Sequence, residues 1–394
     1  MDSALAIGQT APMAEAEKAR PSAGRFPAID VMRGLVMVLM TIDHASEAMN
    51  HGRVFTDSIF FWKPGSPLPA AQFLTRWITH LCAPTFVLLA GTSLAIAVAS
   101  RRDKGDSERA IDRYILSRGA LIVAFEVLWM SPVMLGPGRV LFQVLYAIGA
   151  SLMCMAALRR LSDRGLAAVG VVILVGGEAA AGALQALHVD RSIPAALLFV
   201  PGFFADRQFI IAYPLLPWLG IMTLGWVLGR RLMVWRAAGN DARAPRVLAT
   251  LGLLALAAFV VLRAVDGYGN MLLHRDDLSF VQWLHVSKYP PSLTFATLEL
   301  GIAAVVLSVL FVVTRIERPA LAPLRLFGQV ALFYYLLHIH MLHLAAWTLG
   351  IREKLGLESA YVGALITLLV LYPACRWYRS YKTRRPSSRL ARFV

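Results

Sequence analysis

The first apolar segment of the chain contains five ionisable residues. The stretch from residue 26 to residue 47 is apolar enough to cross a bilayer, yet it includes Asp30, Arg33, Asp43, His44 and Glu47. An ionisable group at the centre of a membrane helix costs about 2.5–3.5 kcal/mol on insertion scales, so such groups are rare and usually functional. Histidine exchanges protons near neutral pH without much tuning. The segment therefore predicts more than anchoring, with His44 as a candidate general base.

Helical spacing arranges these residues in two stripes. At about 100° per residue, one stripe contains Asp30, Arg33, Gly34, Met37, Thr41 and His44, and Asp43 and Glu47 form a second, acidic stripe. His44 lies about 21 Å along the helix from Asp30, most of the way across a bilayer core. The simplest interpretation of Asp30 and Arg33 is a structural ion pair, although a guanidinium also suits a phosphate-bearing ligand. A lone histidine is often only a packed, hydrogen-bonded residue, but the adjacent acids and the stripe favour a functional role for His44.

The composition is that of an all-α polytopic membrane protein. Hydrophobic residues make up 58% of the 394 residues, charged residues 16%, and the mean hydropathy is +0.61. Since a span needs about 20 apolar residues, we predict ten within a transmembrane domain of residues 26–378: 28–50, 73–100, 114–135, 139–158, 165–187, 209–229, 246–265, 293–314, 325–349 and 359–378. The apolar stretch 193–204 is too short to cross; we interpret it as interfacial or re-entrant, with an eleventh span as the alternative.

The basic residues indicate the orientation. With a cytoplasmic N-terminus, 27 of the 39 basic residues fall in inner segments and 11 in outer segments, which predicts N-in and C-in topology. Residues 1–25 lack a signal-peptide pattern and are predicted to form a flexible cytoplasmic segment; residues 379–394 form a basic cytoplasmic tail. The net charge of +15 fits this topology and attraction to anionic lipid. Nucleic-acid binding is not expected, because the basic residues are spread over several short segments.

Other chemistry is largely excluded by missing motifs. The three cysteines, Cys82, Cys154 and Cys375, all fall within predicted spans and are odd in number, so neither a disulfide framework nor a zinc site is expected. No P-loop or dinucleotide fingerprint occurs, which argues against an ATP-driven pump. His340 and His343 share a helix face, but no acidic residue stands near them in sequence, so we expect no metal site.

Several other spans have polar residues at their predicted outer ends. His80 and Pro84 open the second span, where the proline should loosen the helix, and Gly91, Thr92 and Ser93 permit close approach of another helix. Two further motifs, around Tyr213 and Lys288, combine proline with aromatic residues. Helix boundaries and aromatic anchoring at the membrane interface are an adequate explanation of both. The shared outer position of the motifs that contain Tyr213 and Lys288-Tyr289 makes them plausible walls of one pocket, and His338, beside Tyr335 in the ninth span, is a candidate for lining its polar interior.

These motifs, in this order, resemble the heparan-α-glucosaminide N-acetyltransferase-like family, in a bacterial branch of the transmembrane acyltransferases. The resemblance extends from about Arg25 to His343 and rests on the following motifs: Asp30-x-x-Arg33-Gly34 leading to Asp43-His44; Ala83-Pro84-x-Phe86-x-x-x-Ala90-Gly91; Tyr213-Pro-x-x-Pro217-Trp218; Lys288-Tyr-Pro-Pro-Ser292; and Phe333-Tyr-Tyr-x-x-His338. It implies transfer of an acetyl group from cytosolic acetyl-CoA to an amino sugar across the membrane, in a multi-pass protein of the cell inner membrane.

The sequence departs from the animal enzymes at the candidate base. They have asparagine where this chain has His44, and their catalytic histidine lies further along in the outer loop, which makes His51 a second candidate. The resemblance leaves the acceptor open among peptidoglycan, lipopolysaccharide, exopolysaccharide and a lipid-linked sugar.

The combined hypothesis is an acyltransferase with a tunnel through the membrane. The nucleotide of coenzyme A would bind near Arg33, and its pantetheine arm would follow the stripe from Asp30 to His44. His44 or His51 would act as base, with Asp43 or Glu47 orienting it or tuning its basicity, and His80 and His338 would complete the site. A transporter or flippase of a small solute or lipid-linked sugar is the main alternative, and a non-enzymatic membrane partner protein is the second. A homodimer remains open.

Overall fold

Helices form most of the described chain. The computed structural model describes residues 25–385. The bounds of the helices are α1 Pro27–Met49, α2 Ala70–Ile78, α3 Cys82–Asp103, α4 Glu108–Phe125, α5 Ser131–Leu135, α6 Val144–Leu158, α7 Asp163–Ala186, α8 Ile193–Leu198, α9 Leu215–Ala237, α10 Arg243–Val265, α11 Phe280–Leu284, α12 Leu293–Val313, α13 Ala322–Gln329, α14 Ala331–Thr348 and α15 Glu358–Arg384. Single 3₁₀ turns lie at Thr79–Leu81 and Pro319–Leu321, and a π-helical turn at Glu126–Met130 continues α4.

The all-α class is confirmed, and the described residues also include one small sheet. A small sheet has the strand order β1-β3-β2, with β1 Val140–Phe142 parallel to β3 Phe209–Ile211 and β2 Gly202–Phe204 antiparallel to it. Each strand has only three residues, rich in Phe, Val and Ile. Strands this short could not be predicted, because their apolar residues belong to longer apolar segments of the sequence.

The structure supports an integral membrane protein but not a count of ten spans. Each predicted span contains a helix, but only six helices among residues 25–385 are long and apolar enough to cross by length and composition, or seven if α13 and α14 form one bent span. Segment 193–204 forms the six-residue α8 followed by β2, so the eleventh-span alternative is wrong. The number ten and the N-in topology stay predictions.

The predicted terminal segments lie mostly outside the described residues. Of the flexible segment 1–25, the structure describes only Arg25. Helix α15 continues to Arg384, through the predicted boundary at residue 378, so the described part of the basic tail is helical.

Helix α1 lies in the interior of the bundle and packs against α3, α12, α13, α14 and α15. Its closest crossing is with α13, where a Cβ on Gly34 would overlap the carbonyl oxygen of Leu324 and a Cβ on Gly328 would overlap that of Asp30. Small residues at such a crossing let two helix backbones touch. The polar groups of α1 are therefore surrounded by protein.

A second close crossing joins α3 to α9. A Cβ on Gly91 would overlap the carbonyl oxygen of Met222, and one on Gly225 would overlap that of Leu88. The predicted close approach at Gly91 is confirmed. It fixes the helix that begins near His80 and Pro84 against the helix that follows Tyr213.

Helices α13 and α14 meet at Val330 with a bend of 84°. Helix α13 presents Gly328 to α1, and α14 contains Tyr335 and His338. The bend thus places two predicted pocket residues against the interior helix.

Candidate active site

A basic cavity of about 730 Å³ opens at the first turn of α1. Its charged wall residues are the three arginines Arg25, Arg33 and Arg236 and the two acids Asp30 and Asp103. Asp30 is buried and accepts from Arg25 at 2.9 Å and from Arg33 at 3.4 Å, which confirms the ion pair predicted between Asp30 and Arg33. The cavity, hereafter the inner mouth, therefore has an excess of positive charge.

A second cavity, of about 340 Å³, continues from Arg33 into the bundle and is called the inner cavity here. Its basic members are Arg33, Arg118 and Lys382. Most of the remaining wall is apolar and includes Met37, Phe86, Leu145, Ile148 and Leu332. Tyr335 also lines this cavity, whereas His44 and His338 do not. The two cavities share Arg33, so a charged end and an apolar arm of one ligand would fit them in sequence.

The basic side chains of both cavities come from separate segments. Arg118, Arg236 and Lys382 belong to three different segments that the charge pattern predicts on the cytoplasmic side, and Arg25 and Arg33 flank the start of α1. In the structure these side chains lie at one end of the bundle, around the two cavities that share Arg33. Phosphates are the ligands that clustered guanidinium and ammonium groups favour.

Two histidines meet next to Tyr335. His44 Nδ1 lies 2.8 Å from His338 Nε2, and the rings are stacked with centroids 5.0 Å apart. His338 Nδ1 contacts the carbonyl oxygens of Tyr334 at 3.1 Å and Tyr335 at 2.8 Å. The Tyr335 ring centroid lies 6.4 Å from that of His44 and 5.5 Å from that of His338. One tyrosine thus contacts both the inner cavity and the histidine pair.

Neither acid of α1 hydrogen-bonds to His44 among the described residues, so the predicted orienting contact is not seen, and an electrostatic influence of Asp43 or Glu47 on His44 stays a prediction. Asp43 accepts two hydrogen bonds of 2.7 Å from Arg76 Nη1 and pairs with Arg53 at 3.2 Å. Glu47 makes no hydrogen bond or ion pair with His44, whose ring hydrogen bond within residues 25–385 goes to His338. Adjacent residues on a helix point about 100° apart, so Asp43 faces a different neighbour from His44.

Arg76 hydrogen-bonds to two carboxylates, those of Asp43 and Asp57. It donates to Asp57 Oδ2 from Nε at 2.9 Å and from Nη2 at 2.7 Å, in addition to Asp43. His80 Nε2 lies 3.2 Å from the same Asp57 oxygen. Burial alone would raise the pKa of Asp57, but the Arg76 guanidinium and His80 hold it well below its usual value. This cluster of Asp43, Asp57, Arg76 and His80, the outer ion cluster, ties the 50–69 loop to α1 and α2.

Aromatic residues wall the site beside the outer ion cluster. Tyr213 stacks on Trp218 with centroids 4.7 Å apart and meets Tyr289 edge-on at 5.5 Å. The Tyr289 hydroxyl accepts from Arg76 at 3.3 Å. Lys288 is buried, with Nζ 5.3 Å from the Tyr289 ring centre. The predicted walls Tyr213, Lys288 and Tyr289 are therefore brought together.

Other predicted residues lie elsewhere. Gly34 is covered by α13, and Thr41 donates to the Met37 carbonyl at 2.8 Å and contacts the Tyr334 hydroxyl at 2.7 Å, so neither lines the two cavities. Pro84 is buried in the first turn of α3. His51 is exposed, and its Nδ1 contacts the Leu355 carbonyl at 2.6 Å.

Four groups of residues around the site were not predicted from the sequence. Arg76 and Asp57 organise the outer ion cluster, and Arg118 and Lys382 line the inner cavity. Glu299 on α12 is buried, and its Oε1 has no hydrogen-bond partner within the described residues. Of these residues, Glu299 could have been predicted, because an ionisable group within an apolar span is rare and usually functional.

The fourth group is Glu126, in the π-helical turn of α4. Its Oε2 accepts from the backbone N–H groups of Leu145 at 2.7 Å and Tyr146 at 3.1 Å, which cap the start of α6. Leu145 lines the inner cavity. π-Helical turns are rare and often lie at functional sites.

Comparison with known protein families identifies the domain. The model described as heparan-alpha-glucosaminide N-acetyltransferase, catalytic, matches residues 25–263, more than half of the chain. The chain belongs to this family. It is therefore a multi-pass membrane protein of an acetyltransferase family, and the family's donor is acetyl-CoA. No match was found among curated proteins.

The family match covers α1 to α10 and so includes Arg33, His44, Arg76 and His80. It ends before Lys288 and His338. The parts of the resemblance carried by α14 and by the loop before α12 thus rest on the motifs and on the contacts described above.

Proposed function

We propose that the protein transfers an acetyl group from cytosolic acetyl-CoA to an amino sugar or other glycan acceptor on the outer face, with His44 as general base. The observation that carries the proposal is the inner cavity, which leads from Arg33 to Tyr335, a tyrosine in contact with His44 and His338. Eleven residues of helix separate Arg33 from His44, which corresponds to about 16 Å along the axis.

The chemistry of the two cavities fits the donor. Coenzyme A has phosphates at one end and a long, weakly polar arm that ends in the thioester. Arg25, Arg33 and Arg236 at the inner mouth would hold the phosphates, with Arg118 and Lys382 further in. The apolar wall near Met37 and Leu332 would hold the arm, and the thioester would lie against Tyr335.

In the proposed reaction, the acceptor reacts with the thioester of the bound donor. The acceptor nitrogen or oxygen forms a bond to the acetyl carbonyl carbon while the carbon–sulfur bond breaks. The acceptor's proton goes to His44, and coenzyme A leaves as a thiolate that takes up a proton. Positioned bases of this kind contribute about 10²–10⁴-fold in rate.

On the acceptor side, we infer that buried aromatic and charged side chains would surround the bound acceptor. Tyr213 and Tyr289 offer flat apolar faces, and Lys288 and Glu299 offer buried donors and acceptors. Sugars combine apolar ring faces with hydroxyl and amino groups, so this combination suits them. It supports a glycan but does not distinguish among bacterial glycans.

Calorimetric titration of the purified protein with acetyl-CoA tests the donor site. Arg33→Ala should weaken binding by about 10- to 150-fold, because a charge-assisted hydrogen bond contributes about 1.5–3 kcal/mol. Arg315→Ala is the matched control, since Arg315 belongs to a predicted cytoplasmic segment but lines neither cavity. His44→Ala should bind normally. No saturable binding by folded wild-type protein would refute the acyltransferase and favour a transporter.

Transfer of radiolabelled acetyl to glucosamine tests the base. His44→Ala should lose transfer while keeping donor binding, because its imidazole takes the acceptor proton only during the reaction. His51→Ala serves as the comparison. If transfer survives in His44→Ala and is lost in His51→Ala, the base is His51 instead.

A further inference from the structure

The hydrogen bonds around His338 determine which of its ring nitrogens carries the proton. Its Nδ1 lies 3.1 Å from the carbonyl oxygen of Tyr334 and 2.8 Å from that of Tyr335. A carbonyl oxygen only accepts hydrogen bonds, so Nδ1 must be the N–H donor. A neutral imidazole has one N–H group, which leaves Nε2 of His338 as an acceptor.

The same argument extends to His44. Its Nδ1 lies 2.8 Å from His338 Nε2, which has no proton to give, so His44 Nδ1 is the donor. The remaining ring nitrogen, His44 Nε2, then has a free lone pair. The hydrogen bond of the His44 ring among the described residues is made by Nδ1, and the residue as a whole keeps 8% of its surface accessible.

Packing holds this arrangement in place. His338 has no accessible surface, and its ring stacks on Tyr334 with centroids 5.2 Å apart and an interplanar angle of 16°. Tyr334 is itself fully buried and bonded to Thr41. The His338 ring therefore cannot rotate without breaking several contacts, and its acceptor stays aimed at His44.

We propose that His338 is a positioning residue that holds His44 in the Nδ1–H tautomer and thereby makes His44 Nε2 the base atom. The inference rests on the proposed function, because it assumes that His44 takes the acceptor proton. Once Nε2 is protonated, the imidazolium keeps its Nδ1–H bond to His338, so the proton is accepted without rearrangement. A neutral histidine in this position supplies the orientation that a carboxylate supplies in other triads, and it does so without an unpaired buried charge.

Two substitutions of His338 separate positioning from packing. In His338→Gln, the side-chain amide still offers an oxygen to His44 Nδ1, whereas His338→Leu offers none. We expect His338→Leu to lower kcat for acetyl transfer to glucosamine by about 100-fold or more, and His338→Gln to stay within about 10-fold of wild type. The KM for acetyl-CoA should change less than about 3-fold in both. His340→Leu is the control, because His340 stacks on Trp129 at 4.5 Å, away from His44.

A readout independent of turnover is the tautomer itself. Selective ¹⁵N-histidine labelling with solid-state NMR should show His44, assigned by its loss in His44→Ala, protonated at Nδ1 and bare at Nε2. In His338→Leu the His44 signal should change to a mixture of tautomers. A wild-type His44 protonated at Nε2 would overturn the proposal even if His338→Leu failed to fold.

The double variant distinguishes this inference from the proposed function. Adding His338→Leu should leave the residual transfer rate of His44→Ala unchanged, and a further drop below that residual rate would show a separate role and overturn positioning. Equal kcat values for His338→Gln and His338→Leu would also overturn it, while the function stands. Full activity in His44→Ala would instead refute the assignment of His44 as base.

Discussion

Removing Arg76 should destabilise the protein more than removing any exposed arginine. In Arg76→Met, Asp57 loses hydrogen bonds of 2.7 and 2.9 Å and Asp43 loses two of 2.7 Å. The Asp57 side chain is 2% exposed and that of Asp43 is 12% exposed, so water cannot replace the guanidinium fully. Breaking one partner of a buried pair costs about 3–5 kcal/mol.

The lower end of that range is expected here. Arg53 stays 3.2 Å from Asp43, and His80 stays 3.2 Å from Asp57, so each carboxylate keeps one cationic or polar neighbour. A loss of about 3 kcal/mol corresponds to a change of roughly 150-fold in the unfolding equilibrium.

Reversible unfolding in mixed detergent micelles, followed by tryptophan fluorescence, measures this loss. Arg101→Met is the control, because its ion pair with Asp106 is about one third exposed and should contribute at most about 1 kcal/mol. Adding Asp57→Asn to Arg76→Met should recover stability, since the unpaired charge is removed. Wild-type stability in Arg76→Met, or a further loss in the double variant, would contradict the reasoning.

Three further outcomes are expected. Gly328→Ala should force α13 off α1, because its Cβ would overlap the Asp30 carbonyl, and it should reduce the monodisperse yield in size-exclusion chromatography; Gly182→Ala, with open space around it, should not. Asp57 has a lowered folded pKa, so its stabilising contribution should be complete above its unfolded pKa of about 3.9 and decrease progressively as pH falls from there toward the lower folded pKa. The stability gap between wild type and Asp57→Asn should therefore narrow in unfolding titrations below pH ~4, and a constant gap would contradict this. Glu126→Ala should cost about 0.5–2 kcal/mol through loss of the cap on α6, while Glu126→Gln, which keeps the acceptor, should cost less in the same assay.

The sequence predicted the parts of the fold that follow from local composition. These parts are the long apolar segments, the ion pair of Asp30 with Arg33 and the close approach at Gly91. They could be predicted because they depend on neighbours within one helix or on side-chain size. The small sheet was not predicted, because each strand has only three residues and the pairing of β1 with β3 joins residues almost 70 positions apart.

The site was predictable in its members but not in its pairings. His44 and His338 were both predicted, yet they are separated by 294 residues, and only the packing of α1 on α14 brings them together. The position of Asp43 next to His44 in the sequence suggested it as a partner of His44, but Arg53 in the loop and Arg76 on α2 bind the Asp43 carboxylate instead. Partners from other helices cannot be read from the periodicity of one helix.

The wall formed by Tyr335 has a consequence for the membrane as a whole. The inner cavity reaches this ring, and the two histidines lie beyond it rather than in the cavity lining. A water-filled passage from one face to the other would let protons leak and dissipate the ion gradient on which the cell depends. We expect the Tyr335 ring to form a barrier between the two sides. An acetyl group would pass it during transfer, whereas ions and the rest of the donor would stay on the side from which they came.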